Sequence, residues 1–139
     1  MNEQKNIEIV KQLFDAFNRG DAEAIVARCT DDVHWMVHYP PTIPWAGDFS
    51  GRANVGRFFS AIVDNSDVLL FEPKEFYADG NRVIALGAFA CRSKETGKRG
   101  DADWVFRFEF RGDEVCSYIQ FADPSLAEAF SPVPVSAKG

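Results

Sequence analysis

Few side chains in this sequence are of the types that perform acid–base or metal chemistry inside an apolar setting. Two histidines, His34 and His38, stand four residues apart among the β-formers of Val33 to Tyr39. On a strand that even spacing puts both on one face, roughly 13 Å apart at about 3.3 Å per residue. They would not share a metal ion without a bend, and Cys29, Cys91 and Cys116 show no Cys-x-x-Cys pairing. No metal site is therefore expected, and the thiols read as buried and free. His38 borders a proline-rich loop, a place where sites tend to lie, and is the candidate general acid or base. A surface or strand-edge histidine is the plainer reading of His34, and stands level with the functional reading for His38. If Trp35 points inward, alternation sends His38 outward unless the strand bulges before Pro40. Tyr39 or Gln120 would polarise a carbonyl, and Tyr118 shares a strand face with Gln120. Asp101, Asp103 and Asp123 are the acidic candidates, but a catalytic carboxylate needs an apolar site to raise its pKa. Asp103 alternates away from Trp104, and Asp123, just before Pro124, is placed to cap a helix.

The aromatic content is the more unusual chemistry. In 139 residues there are 13 Phe, 3 Trp and 3 Tyr, enough for either a heavily aromatic core or an aromatic-lined cavity. Trp104, Phe106, Phe108 and Phe110 alternate with Val105, Arg107, Glu109 and Arg111, a period of two. Phe108 and Phe110, with Phe14 and Phe17, are assigned to core. Trp104 and Phe106, at the far end from the hairpin turn, are assigned to a pocket with Phe59. Trp35 and Trp45 flank the rigid loop and, with Tyr118, complete the expected ligand-binding set. A formal charge of −6, with no run of Lys or Arg, argues against nucleic acid as a partner. No stretch approaches the roughly 20 apolar residues that span a bilayer. The opening MNEQKNIEIVKQLF lacks an apolar signal core, so the cytoplasm is the expected compartment.

The elements that must position these residues read in order. Ile7, Val10, Phe14 and Phe17 recur at helical spacing, with Gly20 as a C-terminal stop and Asp21 as cap of a second helix. Thr30-Asp31-Asp32 is expected to end that helix before a short strand, Val33 to Tyr39. Pro40, Pro41 and Pro44 make the next segment a stiff loop ending near Gly51. Val55, Phe58, Phe59, Ile62 and Val63 predict a third helix. Strands follow at Val68 to Phe71 and Glu75 to Tyr77, then across a turn at Ala78-Asp79-Gly80-Asn81 to Arg82 to Cys91. The Trp104 to Phe110 and Val115 to Phe121 strands come next, then a short helix from Asp123-Pro124 to Phe130. Residues 131–139 are expected to be a loose tail. No linker or repeat interrupts the chain, which predicts one α+β domain with helices on one face of a curved sheet.

No Gly-x-Gly-x-x-Gly, P-loop, Gly-x-Ser-x-Gly or His-Glu-x-x-His is present. The segments Phe14-Asp15-Ala16-Phe17-Asn18-Arg19-Gly20-Asp21, Thr30-Asp31-Asp32-Val33-His34-Trp35 and Pro44-Trp45-Ala46-Gly47-Asp48-Phe49-Ser50-Gly51-Arg52 are nonetheless distinctive. With Phe58-Phe59 and Tyr118-Ile119-Gln120-Phe121-Ala122-Asp123, they resemble the SnoaL-like branch of the NTF2-like superfamily. The resemblance implies a cone-shaped barrel of three N-terminal helices packed on a strongly curved, mixed, mainly antiparallel sheet. It also implies an apolar pocket and a homodimer packed sheet to sheet. Members include ketosteroid isomerases, polyketide cyclases, epoxide hydrolases, dehydratases and proteins without known catalysis.

This chain departs from two of those activities. The tyrosine and two aspartates of ketosteroid isomerase would fall near Leu13, Val37 or His38, and Trp104. The Arg-x-Asp pair and further aspartate of limonene-epoxide hydrolase would fall at Gly87, Phe89 and Gln120. Neither set is supplied. Two functions stay open. One is a cofactor-independent isomerase, cyclase or dehydratase of a small hydrophobic carbonyl compound, using His38, Tyr39 and Gln120. The other is a non-catalytic carrier for a flat apolar metabolite.

Overall fold

The structure, a computed structural model, describes residues 3–131. Helix α1 (Glu3–Asn18) buries Ile9, Val10, Leu13 and Phe14 along one stripe. Its successor α2 (Ala22–Ala27) is capped by Asp21, whose side chain accepts from the Ala24 amide at 3.2 Å. Capping satisfies one of the orphan amides at the helix start. Helix α3 (Arg52–Asn65) buries Val55, Phe58, Phe59 and Ile62. The three helices lie as their apolar spacing predicts.

Six strands form one curved, unclosed sheet in the order β2-β1-β6-β5-β4-β3. They are β1 (Cys29–His38), β2 (Gly47–Asp48), β3 (Ser66–Asp79), β4 (Arg82–Ser93), β5 (Arg99–Arg111) and β6 (Glu114–Ala122). Only β1 and β6 run parallel; every other pair is antiparallel. A 3-10 helix (Pro124–Phe130) follows, its first turn capped by Asp123 at 2.9 Å from the Ser125 amide. Ser131 stays attached through its carbonyl to Lys98 Nζ, and the rest of the expected tail lies outside the described residues.

Three expectations change. The first strand does not start at Val33: β1 begins at Cys29, because Cys29 and Thr30 are buried and Cys29 pairs with Val115. The register then shifts before His34. The two short strands before the hairpin are one long strand, β3, with irregularities at Val68/Leu70 and Pro73/Glu75. Proline has no amide hydrogen to give the ladder, so it is tolerated at such an irregularity. The third change concerns the thiols: Cys29 and Cys91 are buried but Cys116 is only half-buried. The β3–β4 turn is as expected, with Gly80 at φ +62°, a conformation costly for any residue with a Cβ.

Candidate functional site

Register decides which side chains meet between sheet and helices. Trp35 lies opposite Tyr118 and Val37 opposite Gln120 across the parallel β1–β6 pair. Phe106 faces Gln120, and Phe108 faces Tyr118, across β5–β6. Because side chains alternate, these residues all project to the concave face. Trp35 and Tyr118 stack at 3.9 Å and 22°. Trp104 stacks on Phe106 at 3.9 Å and on Phe71 at 5.1 Å. From above, Phe14 packs edge-on against Trp104, Phe106 and Phe108. Offset and edge-to-face contacts of this kind are worth about 0.5–1.5 kcal/mol each beyond burial.

A close approach of backbone makes room for the indole of Trp104. Gly87 pairs with Trp104 across β4–β5. A Cβ at Gly87 would stand 2.3 Å from Trp104 Cζ2 and 2.4 Å from the Glu72 carbonyl oxygen. Glycine at this position lets the indole lie flat on the sheet.

These elements enclose a cavity of about 60 Å³. Its lining includes Trp35, Tyr39, Trp45 and Phe59, and on the late strands Trp104, Phe106, Tyr118 and Gln120. Of the nine residues assigned to a site from sequence, the structure brings these eight together. The ninth, His38, is a correction. It is exposed on the convex face, where it pairs with Phe121 and stacks on its ring at 4.7 Å and 3°. No bulge reverses the alternation after Trp35, so strand geometry removes His38 from the cavity. His34 is exposed as well, with Nδ1 3.3 Å from Ser50 Oγ.

Trp45 is 2% exposed although it belongs to the proline loop. The loop turns it inward through Ile43–Pro40 and Ala46–Ile43 backbone bonds, and its ring meets Phe130 edge-on at 5.1 Å. The C-terminal 3-10 helix thus closes that end. Phe14, Phe17 and Phe108, read from sequence as core alone, also line the cavity, because α1 lies across the sheet's concave face. Phe58, Phe71 and Phe89 also line the cavity, although the sequence does not assign them to a pocket. Their signals were present: Phe58 in the α3 stripe, and Phe71 and Phe89 as register partners in β3–β4. Phe17, Tyr39 and Phe71 are half-buried and mark where the cavity nears solvent.

The polar content of the lining is small. Tyr118 Oη donates to Gln120 Oε1 at 2.5 Å, fully buried. Burial raises the Tyr118 hydroxyl well above its ordinary 10, and the nearby Tyr39 adds to the shift. Burial likewise raises Tyr39, partly offset by the Gln120 side chain, with small upward contributions from Cys91 and Asp123. Both phenols are therefore protonated at neutral pH. No carboxylate, imidazole or amine stands among the described residues of the lining. Asp101 and Asp103 are exposed, and Asp101 pairs with Arg99. The indole nitrogens of Trp35 and Trp104 are buried with no hydrogen-bond partner. No cluster of potential metal ligands occurs among the described residues.

The model of the SnoaL-like domain matches residues 10–118. The chain belongs to the SnoaL-like family. Among solved structures, this SnoaL-like chain is similar to an NTF2-like protein from Burkholderia xenovorans LB400. They share 32% identity over 94% of this chain and 99% of that one, with a TM-score of 0.84. A candidate polyketide cyclase from Xanthomonas campestris pv. campestris shares 21% identity, over 88% and 93% of the two chains, at a TM-score of 0.75. TerC, co-crystallised with polyporic acid, shares 22% identity over 85% and 91%, at a TM-score of 0.69. No functionally curated protein matches the sequence. The SnoaL-like fold agrees with the sheet order and helices described above, and no helix of the described residues is long and apolar enough to cross a membrane.

Proposed function

We propose that the cavity binds a small, flat, hydrophobic carbonyl compound. The observation that carries this reading is a wall of stacked aromatics interrupted by one polar cluster, Tyr39, Tyr118 and Gln120. Aromatic walls favour a planar apolar body, and a few placed polar groups fix its orientation. At about 60 Å³ the cavity is well below the roughly 300 Å³ at which ligand sites usually begin. Entry of even a two-ring compound therefore moves the half-buried Phe17, Tyr39 or Phe71. The neighbour co-crystallised with polyporic acid gives independent support for a ligand in this fold.

Catalysis is the finer question. A cyclase or isomerase reading draws support from the candidate polyketide cyclase among the structural neighbours. In this cavity such an enzyme would work by carbonyl polarisation through Tyr39 and Gln120, since the described residues of the lining include no carboxylate or imidazole to act as base. The same lack supports the alternative of a carrier that binds without turnover. Thermal unfolding measured against a panel of aromatic ketones tests the shared claim, and an increase in Tm for several of them is expected. No shift across the panel overturns it. Turnover of the bound ketones that survives His38→Ala but is lost in Tyr39→Phe supports the enzyme; binding with no turnover supports the carrier.

The convex face supports a second copy of the chain as partner. Val105 and Phe121 are 39% and 52% exposed there, beside Ile119 and the Arg107–Glu109 pair. A two-fold contact uses one patch twice, and a patch with both charge signs beside apolar groups is suited to meet itself. Sedimentation at micromolar concentration is expected to give a dimer; a monomer defeats the proposal.

A further inference from the structure

We propose that Phe71 is a displaceable plug. Residues 70–73 of β3 swing away from β4, lift the Phe71 ring off Trp104, and let a flat ligand stack in its place. This rests on the reading of the cavity as a ligand site. Phe71 already occupies the position such a ligand would take. Its ring stacks on Trp104 at 5.1 Å and 8°, and on Phe106 at 6.2 Å and 18°. Phe14 and Phe17 meet it edge-to-face at 5.2 Å and 4.8 Å. A planar body set among stacked and edge-on rings is what an aromatic-lined site offers a ligand. The cavity of about 60 Å³ is too small for a fused-ring compound, and taking over the volume of Phe71 is what admits one.

Of the half-buried residues where the cavity nears solvent, Phe71 has the least constrained backbone. Phe17 ends α1, where its carbonyl accepts from the Gly20 amide, and Leu13 and Phe14 anchor the turn before it in the core. Tyr39 follows β1, which has β2 on one side and β6 on the other, and Pro40 restricts its backbone. By contrast β3 is the outermost strand of the sheet, paired with β4. Register shifts at Val68/Leu70 and Pro73/Glu75 bracket residues 70–73, so this stretch can part from β4 without sliding the rest of the strand. Neighbouring side chains add little anchorage: Val68, Leu69 and Leu70 are 39%, 45% and 41% exposed, and Glu72 is exposed. Phe71 is the side chain of this stretch that packs on the core. A ligand that gives Trp104 an equivalent stacking partner offsets its release and shifts the strand to the open state.

Stopped-flow tryptophan emission with 1-indanone, on the full-length protein, tests the plug. Phe71→Ala removes it, so the ketone should bind faster and at least about tenfold more tightly than in wild type, because the open state is no longer the minor one. Phe110→Ala deletes a buried ring outside the lining, controls for a cavity made by any lost phenyl group, and should not tighten binding. A second variant holds the strand instead. Glu72 and Ala88 face each other across β3–β4, and facing residues stand about 4.5–5.5 Å apart at Cα, within the span of a disulfide. Glu72→Cys with Ala88→Cys, in a Cys116→Ser background, should bind at least about tenfold more slowly when oxidised than after reduction. Adding Phe71→Ala to the oxidised protein should restore rapid binding. The cross-linked pair keeps Phe71 in place and carries the test alone if Phe71→Ala loses cooperative unfolding. Equal rates for oxidised and reduced protein overturn the proposal. So does Phe71→Ala binding no tighter than wild type, which makes Phe71 a wall of the site; in both cases the ligand site itself stands. Failure of wild type and every variant to bind the ketone removes the ligand-site reading and the plug with it.

Discussion

The two faces of the sheet are built from the same strands and differ in almost every physical respect. On the concave face β5 presents Trp104, Phe106, Phe108 and Phe110, all buried. On the convex face the intervening Val105, Arg107 and Glu109 stand partly exposed, with Arg82 ion-paired to Glu109 at 3.3 Å. The concave face holds neutral donors and aromatic rings; the convex face mixes apolar side chains with both charge signs. What separates them is one residue of register, since a strand's side chains alternate strictly. His38 and Tyr39 show the consequence most sharply. They are adjacent in sequence, yet one stacks on Phe121 outside and the other lines the cavity.

The comparison can be broken most forcefully from the inside. Trp104→Ala removes a ring packed on both Phe71 and Phe106, and a loss of about 3–5 kcal/mol is expected in urea unfolding. Gly87→Ala drives a methyl into both Trp104 and the Glu72 carbonyl, with an expected cost of about 1–3 kcal/mol and weakened ligand binding. Phe121→Arg, on the convex face, should convert the proposed dimer to a monomer in sedimentation. His38→Ala should alter stability by no more than about 0.5 kcal/mol and leave ketone binding unchanged by calorimetry.

Titration separates the two faces again. Burial pushes Cys29 up to about 12 and Cys91 up to about 11 from an ordinary 9, and raises Tyr39 and Tyr118 above 10. A raised folded-state value means the native state holds its proton longer than the unfolded chain. That stability is fully present below about pH 9 and is lost progressively as pH rises towards about 12. Thermal unfolding followed across that range should show it. The exposed Asp32, whose carboxyl is held low by the nearby Thr30 hydroxyl and by its hydrogen bonds from Arg111, acts in the opposite sense. Its contribution is present above the ordinary 3.8 and fades in acid, by less than the alkaline effect because it is fully solvated.

Much of this was legible in the sequence. Periodicity alone placed α1, α3 and the β5 row, and the resemblance to the SnoaL-like branch agrees with the fold found. Trp35, Trp45, Phe59, Trp104 and Phe106 were all readable as residues near one space. Three things were not. The inward side of β1 depends on whether a bulge intervenes before Pro40, which pattern cannot decide, and so His38 was placed in the candidate set. Phe71 and Phe89 enter the cavity through the β3–β4 register, a long-range property set by two irregularities in β3. The Tyr118–Gln120 bond depends on how two side chains on one strand turn towards each other, which spacing permits but does not dictate.

All three tryptophans of the chain line the cavity, so intrinsic fluorescence reports on its occupancy directly. Titration of the wild-type protein with 1-indanone, read as tryptophan emission, tests the central claim. A saturable change with a defined end-point is the predicted result. Emission that falls linearly with ketone concentration and never saturates would mean collisional quenching alone, and would contradict a binding site in the cavity.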